Sequence, residues 1–322
     1  MRRPRSVAAA LLGDLSARRV ARDGDPIVGF LHAVRDGDRG PRSRGAVDVR
    51  VLERELAWLR ARGYAFAPLE DVLAHVRGAR PLRRAFHLIV DDGYRSLYAH
   101  AYPLLRAEGV PFSAALVEES FRGRRLLWHD ELRLRLQAAR EKIEEVNAIA
   151  PELVRVSGFD AGGAPVYARN ALKEAPNGER LAFMARLREA CPALDEGAAH
   201  ALEALTEEEA RELRAAGVEF LCHTRTHPIL SRVETAEELR LEVEPWDAGL
   251  LRPDVLVYPN GKPEDVDPRV TAAMREAGVE FGFTTVRGAL AAGADPYRLP
   301  RIAVSATLAG LRGEFRALAR LR

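Results

Sequence analysis

Leu88-Ile89-Val90-Asp91-Asp92-Gly93-Tyr94 decides how this chain is read: an apolar run stops abruptly at two adjacent carboxylates. The run from Ala85 to Val90 is bulky and β-branched, broken only by His87, and predicts a buried strand. Asp-Gly then turns the chain. The same rhythm repeats on both sides. Upstream, Ile27–His32 is a second apolar run, bounded by Pro26 and a polar, glycine-containing stretch over 35–45. Leu52, Leu56 and Leu59 follow at helical spacing, with Gly63 closing the helix. Downstream, Leu97, Ala101, Leu104 and Leu105 give a helix its apolar face up to Gly109, and Phe112–Val117 predicts another strand. Strand and helix in alternation are the pattern of a parallel sheet or barrel.

From about 121 to 205 the rhythm breaks. This segment is charged, helical in pattern over Leu132–Ile149 and Arg180–Ala190, and turn-rich at Ser157–Pro165. It reads as a helical insertion between two core strands, with too few bulky apolar residues to close a core of its own. Alternation resumes at Thr206-Glu207-Glu208-Glu209, a capping box. The strand Val218–Cys222 follows, then a second helix start at Thr235-Ala236-Glu237-Glu238 and the strand Val255–Tyr258. Arg269–Glu276 is helical, Phe281–Thr285 extended, and Arg298–Val304 a last strand before a C-terminal helix. The domain reading is therefore a basic N-terminal segment (1–26) and one α/β domain (27–322) carrying the insertion over about 121–205.

Whole-chain properties narrow the function. With 322 residues, 47% hydrophobic and 30% charged, the chain is expected to be a soluble globular protein with a substantial core. Its 49 basic and 47 acidic residues leave a net charge of +2, which argues against nucleic acid as a partner. Met1-Arg2-Arg3-Pro4-Arg5 leads into Val7–Leu12, shorter than the roughly 7–15 apolar residues of a secretory core. No run approaches the roughly 20 residues of a transmembrane span. A cytoplasmic location is the expectation. Arg18, Arg19 and Arg22 read as a solvated helix face ahead of an anion-binding one. Cys191 and Cys222 make no disulfide framework, and Cys222 reads as a small core residue ahead of a metal ligand. Oligomeric state is not legible.

The chemistry gathers at strand ends, which form the functional face of a parallel α/β fold. At the end of one strand, Asp91 and Asp92 point in different directions, so one can bind a cation while the other acts as a base. Alone, Asp-Asp-Gly is a weak signal. His223-Thr224-Arg225-Thr226-His227 ends another strand, and histidines four apart can aim at one point. One carboxylate and two imidazoles leave coordination positions open, as a catalytic site requires. Tyr258-Pro259-Asn260-Gly261 forms a tight turn whose N–H groups can face an oxyanion. His32 closes the first strand and is a candidate general acid. His129 is read first as a surface residue at a helix start and second as an acid from the insertion. His75, His87, His100 and His200 are read as structural or solvent-exposed. No phosphate loop, nucleophile elbow or dinucleotide fingerprint is present.

Ile89-Val90-Asp91-Asp92-Gly93-Tyr94, His223-Thr224-x-x-His227-Pro228 and Tyr258-Pro259-Asn260-Gly261 together resemble the polysaccharide deacetylases of carbohydrate esterase family 4. The resemblance runs in order from about 27 to 304 and implies a distorted (β/α)7 barrel. It implies Asp91 as general base, Asp92, His223 and His227 as metal ligands, the Asn260 N–H as oxyanion donor, and Thr224 as a buttress of the histidine loop. Two departures stand out. Val257 occupies the place of an arginine that positions the base in many members, with Arg298 or Arg301 as possible substitutes. No histidine follows His227, where many members draw their acid. A subgroup resembling the poly-N-acetylglucosamine deacetylases takes the acid from an early strand, and Gly29-Phe30-Leu31-His32 fits that position. The implied activity is metal-dependent removal of N-acetyl groups from an acetamido sugar or glycan precursor. Zinc is the first choice of metal, with cobalt, manganese or nickel as alternatives. Hydrolysis of a small imide or ureide and an inactive glycan-binding scaffold are the rival readings.

Overall fold

The computed structural model describes residues 24–40, 46–149, 155–160, 165–167, 169–304 and 306–320. The basic N-terminal stretch with Arg18, Arg19 and Arg22 lies outside them.

Seven strands form the main path of an eight-stranded sheet: β1 (Ile27–Leu31), β2 (Ala85–Val90), β3 (Phe112–Leu116), β4 (Glu219–Cys222), β5 (Leu251–Val257), β6 (Phe281–Phe283) and β7 (Ile302–Ala303), with the short strand Ala65–Phe66 pairing β2 off that path. All pair in parallel, in the spatial order β6-β5-β4-β3-β2-β1-β7. From β1 to β6 each strand lies beside its predecessor, so the sheet winds one way and curls instead of splitting at a switch point. The two edges meet at a single bridge, Phe283 to Leu299, just before β7. The result is the expected distorted seven-stranded barrel, with a thin closing seam.

Alternation along the strands explains why it curls. Val28, Ile89, Ala115, Leu221, Val255, Val257, Phe281 and Phe283 share one buried cluster. Their neighbours Ile27, Leu88, Val90, Ala114, Phe220, Cys222 and Leu256 form another cluster with helix residues such as Leu52, Leu56 and Leu59. A strand presents alternate residues to opposite faces, so the sheet is apolar on both and must be covered on both. Helix α1 (Val49–Ala61) lays Leu52, Leu56 and Leu59 on the outer face, as the spacing predicts. Both capping boxes form: Thr206 with Glu209 starts α4 (Glu207–Ala215), and Thr235 with Glu238 starts α5 (Ala236–Val243). Cys222 is fully buried, and burial pushes its thiol up to about 12, a core residue as read. No helix among the described residues is long and apolar enough to cross a membrane.

The chain between β3 and β4 departs from expectation in two respects. Its turn-rich centre contains an antiparallel hairpin, Val156–Phe159 with Pro165–Tyr167. It also closes a core of its own. Helices α2 (Trp128–Ala138) and α3 (Asn177–Ala190) contribute Trp128, Leu132, Leu136, Phe183, Met184 and Leu187, joined by Val146 and Leu172. Each helix offers only a narrow apolar stripe, which a count along the chain dilutes. The stripes converge in space, and that suffices for a small core.

Candidate functional site

Every sequence-predicted site residue lines one cavity of about 450 Å³: His32, Asp91, Asp92, His223, His227 and Asn260. They come from the carboxyl ends of β1, β2, β4 and β5. Asp91 N–H still donates to Leu31 O at 2.8 Å, continuing the sheet. At Asp92 the backbone then flips to φ +73°, which separates the two neighbouring carboxylates. Asp92 Oδ1 faces His223 Nε2 at 3.4 Å and His227 Nε2 at 3.3 Å. These three residues each offer a ligand atom, all within 4.8 Å of one another.

Their protonation fits a cation. His223 Nδ1 lies 2.7 Å from Val257 O. A carbonyl only accepts, so Nδ1 carries a hydrogen and donates to it, which leaves Nε2 turned toward Asp92. Burial lowers the His227 imidazole to about 4, against the pull of Asp92, and so keeps it neutral at pH 7. Burial pushes the Asp92 carboxyl up, but the ring nitrogens of His223 and His227 and the charge of His32 outweigh it, holding Asp92 well below the usual carboxylate range. Asp92 Oδ1 is nevertheless buried with no hydrogen-bond partner among the described residues. A carboxylate oxygen and two imidazole nitrogens converging on one point are the ligand atoms that a divalent cation takes. The residues fit a divalent metal, and three ligands leave part of its shell open.

Asp91 has a different partner. Arg301, fully buried at the start of β7, donates from Nη1 to Asp91 Oδ1 at 2.8 Å. Its Nε donates to Thr284 O at 2.9 Å, and its guanidinium lies 4.4 Å from the centroid of the Phe30 ring. Of Arg298 and Arg301, it is Arg301 that pairs with Asp91, while Arg298 donates to Val266 O. Val257, at the departed position, serves through its carbonyl on His223.

Asn260 sits at φ +62°, and its N–H finds no acceptor among the described residues. Its side chain bridges Lys173 Nζ and Asp265 Oδ2. His32 is exposed at the rim, its ring edge-on to Phe30 at 5.7 Å. His129 does start a helix, but it is more than a surface residue: it lines the cavity, with its ring 5.5 Å from that of His227. Beside it, Asp130 accepts from the Tyr94 hydroxyl at 2.5 Å. His75 and His87 are buried and bonded within the fold, as expected of structural residues.

Sequence reasoning missed Lys173, Arg180 and Glu242. Lys173 and Arg180 reach the cavity from the insertion. Glu242, on α5, accepts from Arg225 N at 2.8 Å and Thr226 N at 3.0 Å, bracing the histidine loop. A charged residue on a helix carries no local mark of such a role.

No family model matches the chain. Over 63 residues it is 36% identical to the poly-beta-1,6-N-acetyl-D-glucosamine N-deacetylase of Escherichia coli strain K12, a match covering 19% of this chain and 9% of the relative. Solved structures match far more of it. The Streptococcus pyogenes deacetylase PplD in complex with acetate superposes with a TM-score of 0.56 at 15% identity, covering 91% of this chain and 99% of that one. IcaB from Ammonifex degensii gives 0.53 at 17% identity over 88% and 93% of the two chains. The deacetylase domain of BpsB from Bordetella bronchiseptica gives 0.52 at 18% identity over 88% and 98%. The fold of this chain is that of the polysaccharide deacetylases.

Proposed function

We propose that this protein is a metal-dependent hydrolase that removes N-acetyl groups from an acetamido sugar or glycan precursor. One observation carries the reading: Asp92 Oδ1 is buried without a hydrogen bond and faced by two imidazole nitrogens. Asp92, His223 and His227 would hold the cation, with zinc the first choice for this donor set. A bound cation would supply Lewis acidity, polarising the acetyl carbonyl and making water a nucleophile near neutral pH.

The remaining steps belong to the chain's own residues. The Asp91 carboxylate, fixed by Arg301, accepts the proton of the attacking water at the oxygen the arginine leaves free. The Asn260 N–H donates to the developing oxyanion. His32, at the cavity rim, gives its proton to the departing sugar amine, without which the C–N bond would not break. The relatives named as deacetylases support the reaction class, and the ordered motifs support the residue roles. Absence of the arginine at 257 would favour an inactive scaffold; the Arg301–Asp91 pair counts against that reading.

Acetate release from a panel of acetamido sugars and N-acetylglucosamine oligomers, with and without chelator, tests the proposal. Chelator-sensitive release that zinc restores is the expected result. Release from ureides alone, or from nothing in the metal-loaded protein, would refute it.

A further inference from the structure

The helical insertion touches the candidate metal centre through the backbone of the loop that carries His227. Thr224 and His227 hold φ +68° and +56°, where side chains other than glycine are strained. Such a loop needs its main-chain groups held, and the partners can be traced one by one. Thr224 O and Arg225 O accept from Glu118 N at 3.2 Å and Glu119 N at 2.9 Å. Arg225 N and Thr226 N donate to Glu242, and His227 N donates to Thr224 Oγ1 at 3.0 Å.

Two carbonyls remain, and the insertion takes both. Trp128 Nε1 donates to His227 O at 3.0 Å. Arg180 Nη2 donates to Thr226 O and to Thr226 Oγ1, each at 3.0 Å. The Arg180 guanidinium lies 5.1 Å from the centroid of the Trp128 ring, so the two grips form one unit. Arg180 is only 2% exposed, and burial lowers its pKa to about 10. Among the described residues no carboxylate lies within ion-pair distance of it. Burying a guanidinium that way is costly, and packing alone would be served as well by an apolar side chain. Its hydrogen bonds instead go to Asn177 and to the metal loop.

We propose that Trp128 and Arg180 are positioning residues of the metal centre: they lock the Thr226–His227 backbone and so hold His227 Nε2 on the point shared with Asp92 and His223. The insertion is then a working part of the site. This rests on the metal reading above. Residues that orient ligands change metal affinity by about 10–100-fold when replaced.

The test is titration of the metal-free full chain with cobalt, followed by its visible absorption, and with zinc against a chromogenic chelator. Trp128→Phe keeps the ring and loses the N–H; it should weaken binding about tenfold. Arg180→Met should weaken it by about a hundredfold, with Arg180→Lys recovering part of the loss. Both should alter the cobalt band, which reports ligand geometry. Arg186→Met, exposed on the same helix, should change nothing. Thermal unfolding of the metal-free variants separates a lost lock from a lost fold. If Arg180→Met does not fold, Trp128→Phe and Arg180→Lys decide. Wild-type affinity and spectrum in the folded variants would overturn the proposal and leave the deacetylase reading standing. A wild-type chain that binds no ion would instead remove the metal reading itself.

Discussion

The two rims of the barrel use the same rare backbone conformation for opposite ends. Where helices return to strands, Gly109 and Gly217 take φ +61° and +90°, and a Cβ at either would meet nothing within 4 Å. Glycine adopts this region without steric penalty, so these turns are cheap connectors. Where strands end, Asp92, Thr224, His227 and Asn260 take the same conformation beside Gly93 and Gly261, whereas Arg84, just before β2, is a non-glycine case on the first rim. Each non-glycine residue there costs on the order of 1–3 kcal/mol. For β-branched Thr224 the conformation is a true outlier. The first rim thus uses glycine at most of its left-handed turns, while the second concentrates non-glycine residues in that conformation. Four of the six described non-glycine residues with positive φ lie on that face.

Substitutions on the two rims should separate accordingly. The largest effect is expected from Asp91→Asn, which should lower turnover by about 10²–10⁴-fold while leaving metal content unchanged. Near-normal acetate release would remove Asp91 from the role of base. Arg301→Met strands the buried Asp91 carboxylate and should cost about 3–5 kcal/mol in urea unfolding of the metal-free protein, with turnover falling too. Full stability and activity would mean the pair is incidental. Thr224→Val keeps the branched shape but gives the His227 N–H no acceptor, and should cost about 1–3 kcal/mol; Thr224→Ser should stay close to wild type. Equal losses in both would assign the effect to packing. On the far rim, Gly217→Ala should cost only about 1–2 kcal/mol and leave kcat and KM untouched. A kinetic change there would break the contrast between the rims.

The legible parts of the molecule are those whose cause is local. Strand–helix alternation, both capping boxes and the strand-end motifs each occupy a few consecutive residues, so spacing alone exposes them. Arg301 meets Asp91 across a separation of 210 residues, because curling brings β7 beside β1. No local pattern distinguishes it from Arg298, three positions earlier, which faces away to Val266. The insertion is less legible still. Its core is spread over narrow stripes on several helices, and Arg180 on a charged helix looks like any solvated cation until the fold buries it against Trp128.

The most direct test of the whole account is equilibrium dialysis of the metal-free chain against zinc, with elemental analysis of wild type, Asp92→Ala and His227→Ala. Wild type should take up one ion per chain and the two variants none. No uptake by wild type, or full occupancy without Asp92, would show that these side chains converge for some other reason.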